Sequence, residues 1–169
     1  MNNFQGYPFV NDLTGAMVVG LAFDLSINRL VLIRKLKPSW MVGLLNGVGG
    51  KIEPSESAVA AMVREFYEEA GVVTLEDDWH LFHWEQRFDG PELYFYACDI
   101  AGIIDQSSSQ TREMVTIINP DDVYKLEADH ELVYNLHFLI PMAHAYLKYP
   151  QHRYFPIQPR LNVTMTVQG

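Results

Sequence analysis

Residues 50–72 read GKIEPSESAVAAMVREFYEEAGV, a stretch in which Ala58, Ala61, Met62 and Phe66 form an apolar face beside Glu65, Glu68 and Glu69. The spacing predicts a short helix packed on a sheet, with its glutamates gathered on another face. Spacings of three and four residues put such side chains about 5–6 Å apart, where like charges repel by roughly 0.2–0.5 kcal/mol per pair. A divalent cation is the obvious compensator, since hard cations prefer carboxylate oxygens. The turn Gly49-Gly50-Lys51 leads into the helix and brings a tight backbone loop to the same face. These residues point to a metal-dependent site for phosphate chemistry.

The helix has start and stop signals. Pro54-Ser55 open it, Ser55 or Ser57 can accept an N-cap bond, and Gly71 lies where a left-handed C-terminal cap favours glycine. Upstream, residues 16–24 (AMVVGLAFD) and 29–34 (RLVLIR) read as strands of one hairpin, followed by a loop over 35–48. Downstream, residues 79–88 and 91–100 read as two strands joined at Asp89-Gly90. A polar loop over 101–112, expected to be mobile, leads to a short strand over 113–118. Asn119-Pro120 begin a turn or helical cap, and residues 131–147 have amphipathic helical spacing. The pattern alone predicts one domain, α+β or α/β.

With 169 residues the chain is long enough for one self-sufficient core. A net charge of −9 argues against broad affinity for a nucleic-acid backbone, which depends on cationic side chains releasing counterions. Cys98, the sole cysteine, excludes an intrachain disulfide and sits in an apolar run (LYFYACDI) as a small buried residue. No apolar run approaches the roughly 20 residues of a membrane span. The start MNNFQGYPFV lacks the basic and apolar regions of a signal peptide, so a reducing, cytoplasmic setting is expected. The sequon Asn162-Val163-Thr164 is then coincidental.

The helix segment is also specific as a pattern: Gly50, five residues, Glu56, seven residues, Arg64-Glu65, Phe66, one residue, Glu68-Glu69, one residue, Gly71, Val72. At about 7% usage per residue type, seven fixed positions coincide by chance on the order of once in 10⁸. The segment resembles the box of the Nudix hydrolases at every specified position. An isolated Glu-Glu pair would read as a solvated face, but Gly50, Glu56, Arg64 and Gly71 in register reverse that reading. The resemblance implies an α/β/α sandwich with a mixed sheet between helices over residues 14–147. Residues 1–13 would be an N-terminal arm and residues 148–169 an extended tail.

By the same resemblance, Glu65, Glu68 and Glu69, with the Gly49 carbonyl, ligate Mg²⁺ or Mn²⁺. Gly50, Glu56 and Gly71 belong to the motif as supporting residues. Arg64, beside the ligands, can orient carboxylates through its planar fork of donors, and Glu56 can pair with it or reach the metal shell. A proton acceptor is needed as water attacks phosphorus. Glu65, Glu68 and Glu113 are candidates, Glu113 because the run Thr111-Arg112-Glu113 resembles a T-x-E segment of oxidised-nucleotide-cleaving members. Leu45-Asn46-Gly47-Val48-Gly49-Gly50-Lys51 is similar to the W-N-G-F-G-G-K stretch of the oxidised-purine subgroup, in which the asparagine reads the base. Asn46 can do so through an amide that donates and accepts, or it is a turn residue before Gly47. Leu45 departs from that subgroup's tryptophan, and Asp129, His130 and Asn135 are the nearest late polar residues. Lys35 and Lys51, and also Lys37, can meet phosphates.

The implied function is metal-dependent hydrolysis of a phosphoanhydride bond in a nucleoside triphosphate or another nucleoside diphosphate derivative. The alternatives are cleavage of ADP-ribose or a nucleotide sugar, and a nucleotide-sensing module without turnover. The expected partner is a nucleotide, with no nucleic acid or membrane, and the resemblance leaves room for a homodimer.

Overall fold

A computed structural model describes residues 15–86, 90–126 and 131–152. The expected arm, most of the expected tail, the Asp89 turn position and both Asp129 and His130 lie outside the described residues.

Six strands form one mixed sheet: β1 (Met17–Asp24), β2 (Arg29–Arg34), β3 (Leu45–Asn46), β4 (His80–Gln86), β5 (Glu92–Asp99) and β6 (Met114–Ile118). The order is β3-β2-β1-β5-β4, with β6 along the other edge of β2. β1 and β5 run parallel, and every other pairing is antiparallel. The expected hairpin of the first two strands is present, with Asn28 in the left-handed region at φ 51°.

Period-two alternation gives the sheet two apolar faces. Val18, Ala22, Val31, Ile33, Tyr96 and Cys98 point toward α1 (Ala58–Ala70). Leu21, Phe23, Leu30, Leu32, Phe95 and Ala97 point toward α3 (Leu136–Lys148). Successive strand residues alternate faces, so continuous apolar runs signal burial on both sides. The result is an α/β/α sandwich. On the α1 side Ala61, Met62, Phe66 and Ala70 are fully buried, and Phe66 meets Trp79 edge-on with ring centroids 5.3 Å apart. A side chain at Gly20 would place its Cβ 2.6 Å from the Met62 sulfur, so glycine there lets α1 come down onto β1.

Several elements differ from their expected limits. The loop over 35–48 contains a 3-10 turn (Ser39–Met41) and the short β3. The polar loop over 101–112 contains α2 (Ile103–Gln106) and is tied down beyond it. Ser108 N donates to Ala70 O (2.9 Å) and Gln110 N to Glu69 O (3.2 Å), which satisfies carbonyls at the end of α1. The late helix starts at Leu136, because Leu132 bridges to Leu45 and Val133 N bonds Leu45 O (3.0 Å). Asn119 caps a 3-10 helix over Pro120–Lys125, accepting from Asp121 N at 2.9 Å.

Asp24 ends β1 as a buried carboxylate that accepts from the Ser26 hydroxyl, from Gly102 N (2.6 Å) and from Ser26 N (3.2 Å). The Ser26 hydroxyl and then Gly102 N hold its pKa below the usual carboxylate value. A depressed folded pKa contributes stability above the unfolded value that is lost as pH falls through the folded one. Asp24→Asn is expected to cost about 1–3 kcal/mol at neutral pH and to lack that acid-side loss. Urea unfolding of both proteins across pH 3–7 checks it.

Candidate active site

The site is built where α1 passes a glycine turn fastened to β1. Val18 N donates to Gly50 O (2.9 Å), Gly20 N to Val48 O (2.7 Å) and Val48 N to Gly20 O (3.1 Å). At Gly49 the backbone leaves no room for a side chain, and at Gly50 one would have to push the Glu65 carboxylate aside. A Cβ on Gly49 would stand 2.1 Å from the Val18 carbonyl oxygen, and one on Gly50 would stand 2.4 Å from a Glu65 carboxylate oxygen. The glycines therefore let backbone approach carboxylate directly. At the helix ends, Ser57 rather than Ser55 is the N-cap, accepting from Ala60 N at 3.1 Å, while Gly71 is the left-handed C-cap at φ 77°.

The three box glutamates divide. Glu65 and Glu69 have side chains only 13% exposed, whereas Glu68 is 54% exposed. At 3.6 residues per turn Glu69 lies roughly 40° to one side of Glu65 and Glu68 roughly 60° to the other, so only the first two tuck under the turn. Burial raises the pKa of Glu65, against the opposing bond from Arg64. Burial also raises that of Glu69, and Lys35 and Gly49 N offset it only in part. Two carboxylates thus sit in a place that penalises their charge.

Arg64 holds this face together. Its Nε and one terminal nitrogen each donate to Glu56 at 2.9 Å, a two-pronged grip, and the latter also donates to Lys51 O at 2.9 Å. The other terminal nitrogen reaches Glu65 at 2.8 Å and Glu68 at 3.4 Å. The Glu56 bonds raise the Arg64 pKa, and Arg64 in turn lowers that of Glu56. The expected pairing of Glu56 with Arg64 is present in the structure.

Glu113 comes from the opposite side. It is buried just before β6, accepts from Leu36 N (2.8 Å) and from the Lys35 ammonium, and the same ammonium lies 3.7 Å from Glu69. Burial alone would raise the Glu113 pKa, but the bonds from Leu36 N and Lys35 outweigh it, so it is lowered. The structure therefore gathers Glu65, Glu69, Glu113, Arg64 and Lys35 around the Gly49-Gly50 turn. Asn46 is a half-buried strand residue of β3, registered with Ile33 and so on the α1 side of the sheet. It is not a turn residue. Lys51 is exposed and contributes its carbonyl to Arg64. Asn135 is buried at the start of α3.

The bridge made by Lys35 between Glu69 and Glu113 was not readable from sequence. Its signal is register: Ile33 faces Val115, and two further steps bring Lys35 opposite Glu113. That signal exists only once the β2–β6 pairing is known.

Five carboxylates (Glu56, Glu65, Glu68, Glu69, Glu113) meet two cations (Arg64, Lys35) here, leaving an excess of three negative charges. Hard oxygen donors with unbalanced charge fit a divalent cation. Among the described residues no three acidic, histidine or cysteine side chains already converge at ligating distance. Glu65 is turned to Arg64, and Glu69 to Gly49 N (3.1 Å) and Lys35. Also among the described residues, no helix is long and apolar enough to cross a membrane.

Residues 16–136 match the NUDIX domain family. Among solved structures, a MutT from work on Aliivibrio salmonicida and Vibrio cholerae is similar at 22% identity and TM-score 0.56, over 67% of this chain and 86% of that one. A NUDIX family hydrolase from Clostridium perfringens is similar at 15% identity and TM-score 0.61, over 77% of this chain and 95% of that one. No curated protein matches this sequence.

Arg64→Lys tests the organising role of the guanidinium. A lysine cannot grip Glu56 with two donors while also reaching Glu65 and the Lys51 carbonyl. The expected loss is about 1–3 kcal/mol of stability, read from chemical denaturation; an unchanged midpoint would rule the role out.

Proposed function

The chain belongs to the NUDIX family as a pyrophosphohydrolase, and we propose that it hydrolyses a phosphoanhydride bond in a nucleoside triphosphate or a related nucleoside diphosphate derivative, with Mg²⁺ or Mn²⁺. One observation carries the reading: largely buried Glu69 of the box helix and buried Glu113 of the sheet edge share one ammonium beside a glycine turn whose Gly49 has no room for a side chain. That arrangement concentrates hard oxygen donors where backbone can approach a polyphosphate.

In this reading Glu65, Glu68 and Glu69, with the Gly49 carbonyl, would hold the cation. A bound divalent ion neutralises phosphoryl oxygens and acidifies a water. Arg64 keeps Glu65 and Glu68 aimed by donating to both, while Glu56 anchors the guanidinium from behind. Water attacks phosphorus, forming one P–O bond as the anhydride P–O bond breaks. A nucleoside monophosphate leaves, with pyrophosphate or a phosphorylated second moiety. The water's proton goes to a carboxylate, for which Glu65, Glu68 and Glu113 stand available. Glu65 is more basic than Glu113, because burial raises its pKa while the bonds from Leu36 N and Lys35 lower that of Glu113. Lys35 and Lys51 meet phosphate oxygens, and Asn46 reads a purine edge from β3.

A nucleotide panel with Mg²⁺ or Mn²⁺ and product identification tests this. One anhydride is expected to be cleaved, with ¹⁸O from labelled water in a single product. Turnover of no pyrophosphate compound, with nucleotide binding intact, would instead make the chain a sensor. Glu69→Gln is expected to lower kcat by about 10²-fold or more with unchanged circular dichroism, and a near-normal rate would remove the metal-face assignment. Asn46→Ala is expected to raise KM or shift base preference; equal discrimination among ATP, GTP and their oxidised forms would clear it of base reading.

A further inference from the structure

Lys35 is an unusual cation for a catalytic pocket, because it is buried and already committed to two carboxylates. Only 8% of the residue is exposed. Its ammonium touches Glu113 and lies 3.7 Å from Glu69, and both carboxylates also accept backbone N–H groups, from Leu36 and Gly49. The placement is imposed by the sheet. In the β2–β6 register Arg34 faces Met114 and Ile33 faces Val115, so the next pair is Lys35 with Glu113, on the α1 side with Ile33. The lysine therefore links the end of β2, the start of β6 and α1 through one hydrogen bond and one longer ion pair.

We propose that Lys35 is a resident counter-cation for Glu69 and Glu113 that a divalent metal ion must displace, and that its release delivers an ammonium to the substrate's phosphates. The inference rests on the metal-dependent reading above. Two cations drawn to the same carboxylates repel each other and divide the same oxygens, so each weakens the other's hold. Without metal, the Lys35 ammonium supplies the positive charge that faces Glu69 and Glu113. A metal ion held by Glu69 would take over its counter-charge, and the Lys35 ammonium would then be free to meet an incoming polyphosphate. Metal loading and substrate capture are coupled through one side chain.

Mn²⁺ binding to the whole protein, followed by loss of the free-ion EPR signal, tests the exchange without relying on turnover. Lys35→Met is expected to bind Mn²⁺ roughly tenfold more tightly than wild type, as removal of a competing charge allows. Lys35→Arg, which keeps the charge, is expected to stay close to wild type. The metal-free Lys35→Met protein is expected to melt earlier and to recover more of its Tm on adding Mn²⁺, while its nucleotide KM rises. Equal or weaker Mn²⁺ binding by Lys35→Met overturns the proposal and leaves the hydrolase reading standing. Absence of Mn²⁺ binding by the wild type overturns both.

Should Lys35→Met fail to fold, reductive methylation of the wild type answers the same question. Peptide mass spectrometry is expected to show Lys35 modified several-fold faster with Mn²⁺ than without, relative to exposed Lys125 and Lys148. A Lys35 rate unmoved by Mn²⁺ overturns the exchange.

Discussion

Everything at this site follows from removing two carboxylates, Glu65 and Glu69, from water at the place where a helix crosses a backbone turn. Their burial favours the protonated form, and the surroundings answer it with Arg64, Lys35 and the Gly49 amide. The answer is incomplete by charge. A buried ion that is only partly balanced is costly as structure, and it is the condition under which a hard cation binds with most gain. The imbalance is thus a chemical feature of the fold and not a defect in it.

The sandwich exists to hold that condition steady. Glycines 20, 49 and 50 remove side chains where α1 and the turn meet β1, which sets how near the helix carboxylates stand to backbone. Phe66, Met62 and Trp79 fill the space below. At the far end of α1, Gly71 and the 107–110 segment satisfy carbonyls, so the last turn that carries Glu69 is tied to the chain beyond α2. Arg64 is solvent-edge glue. It converts the repulsion among Glu56, Glu65 and Glu68 into one hydrogen-bonded set.

Glu113 and Lys35 belong to a different part of the architecture from the box helix, yet share its site. Lys35 directly follows β2 and Glu113 directly precedes β6, and extending the antiparallel register by one pair makes them opposite numbers. The loop after Lys35 returns at once, with Lys35 N on Leu44 O (2.9 Å) and Gly43 N on Lys35 O (2.8 Å), and leads through β3 to the glycine turn. A short circuit of chain therefore joins the buried lysine, Asn46 and Gly49.

The sequence by itself determined the family, the helix over the box and its Gly71 cap, the hairpin of β1 and β2, and a glutamate cluster suited to metal. These are local facts: helical spacing, capping chemistry and apolar runs act over a few residues and do not depend on distant partners. The tertiary structure alone decided which box glutamates are largely covered and which exposed, since Glu65 and Glu68 differ only in which side of the helix meets the turn. It alone placed Asn46 in a strand and gave the 101–112 loop a short helix and ties to α1. It alone put Lys35 between Glu69 and Glu113. Those outcomes depend on pairing between strands far apart in the chain, where a shift of one residue would send every side chain to the opposite face.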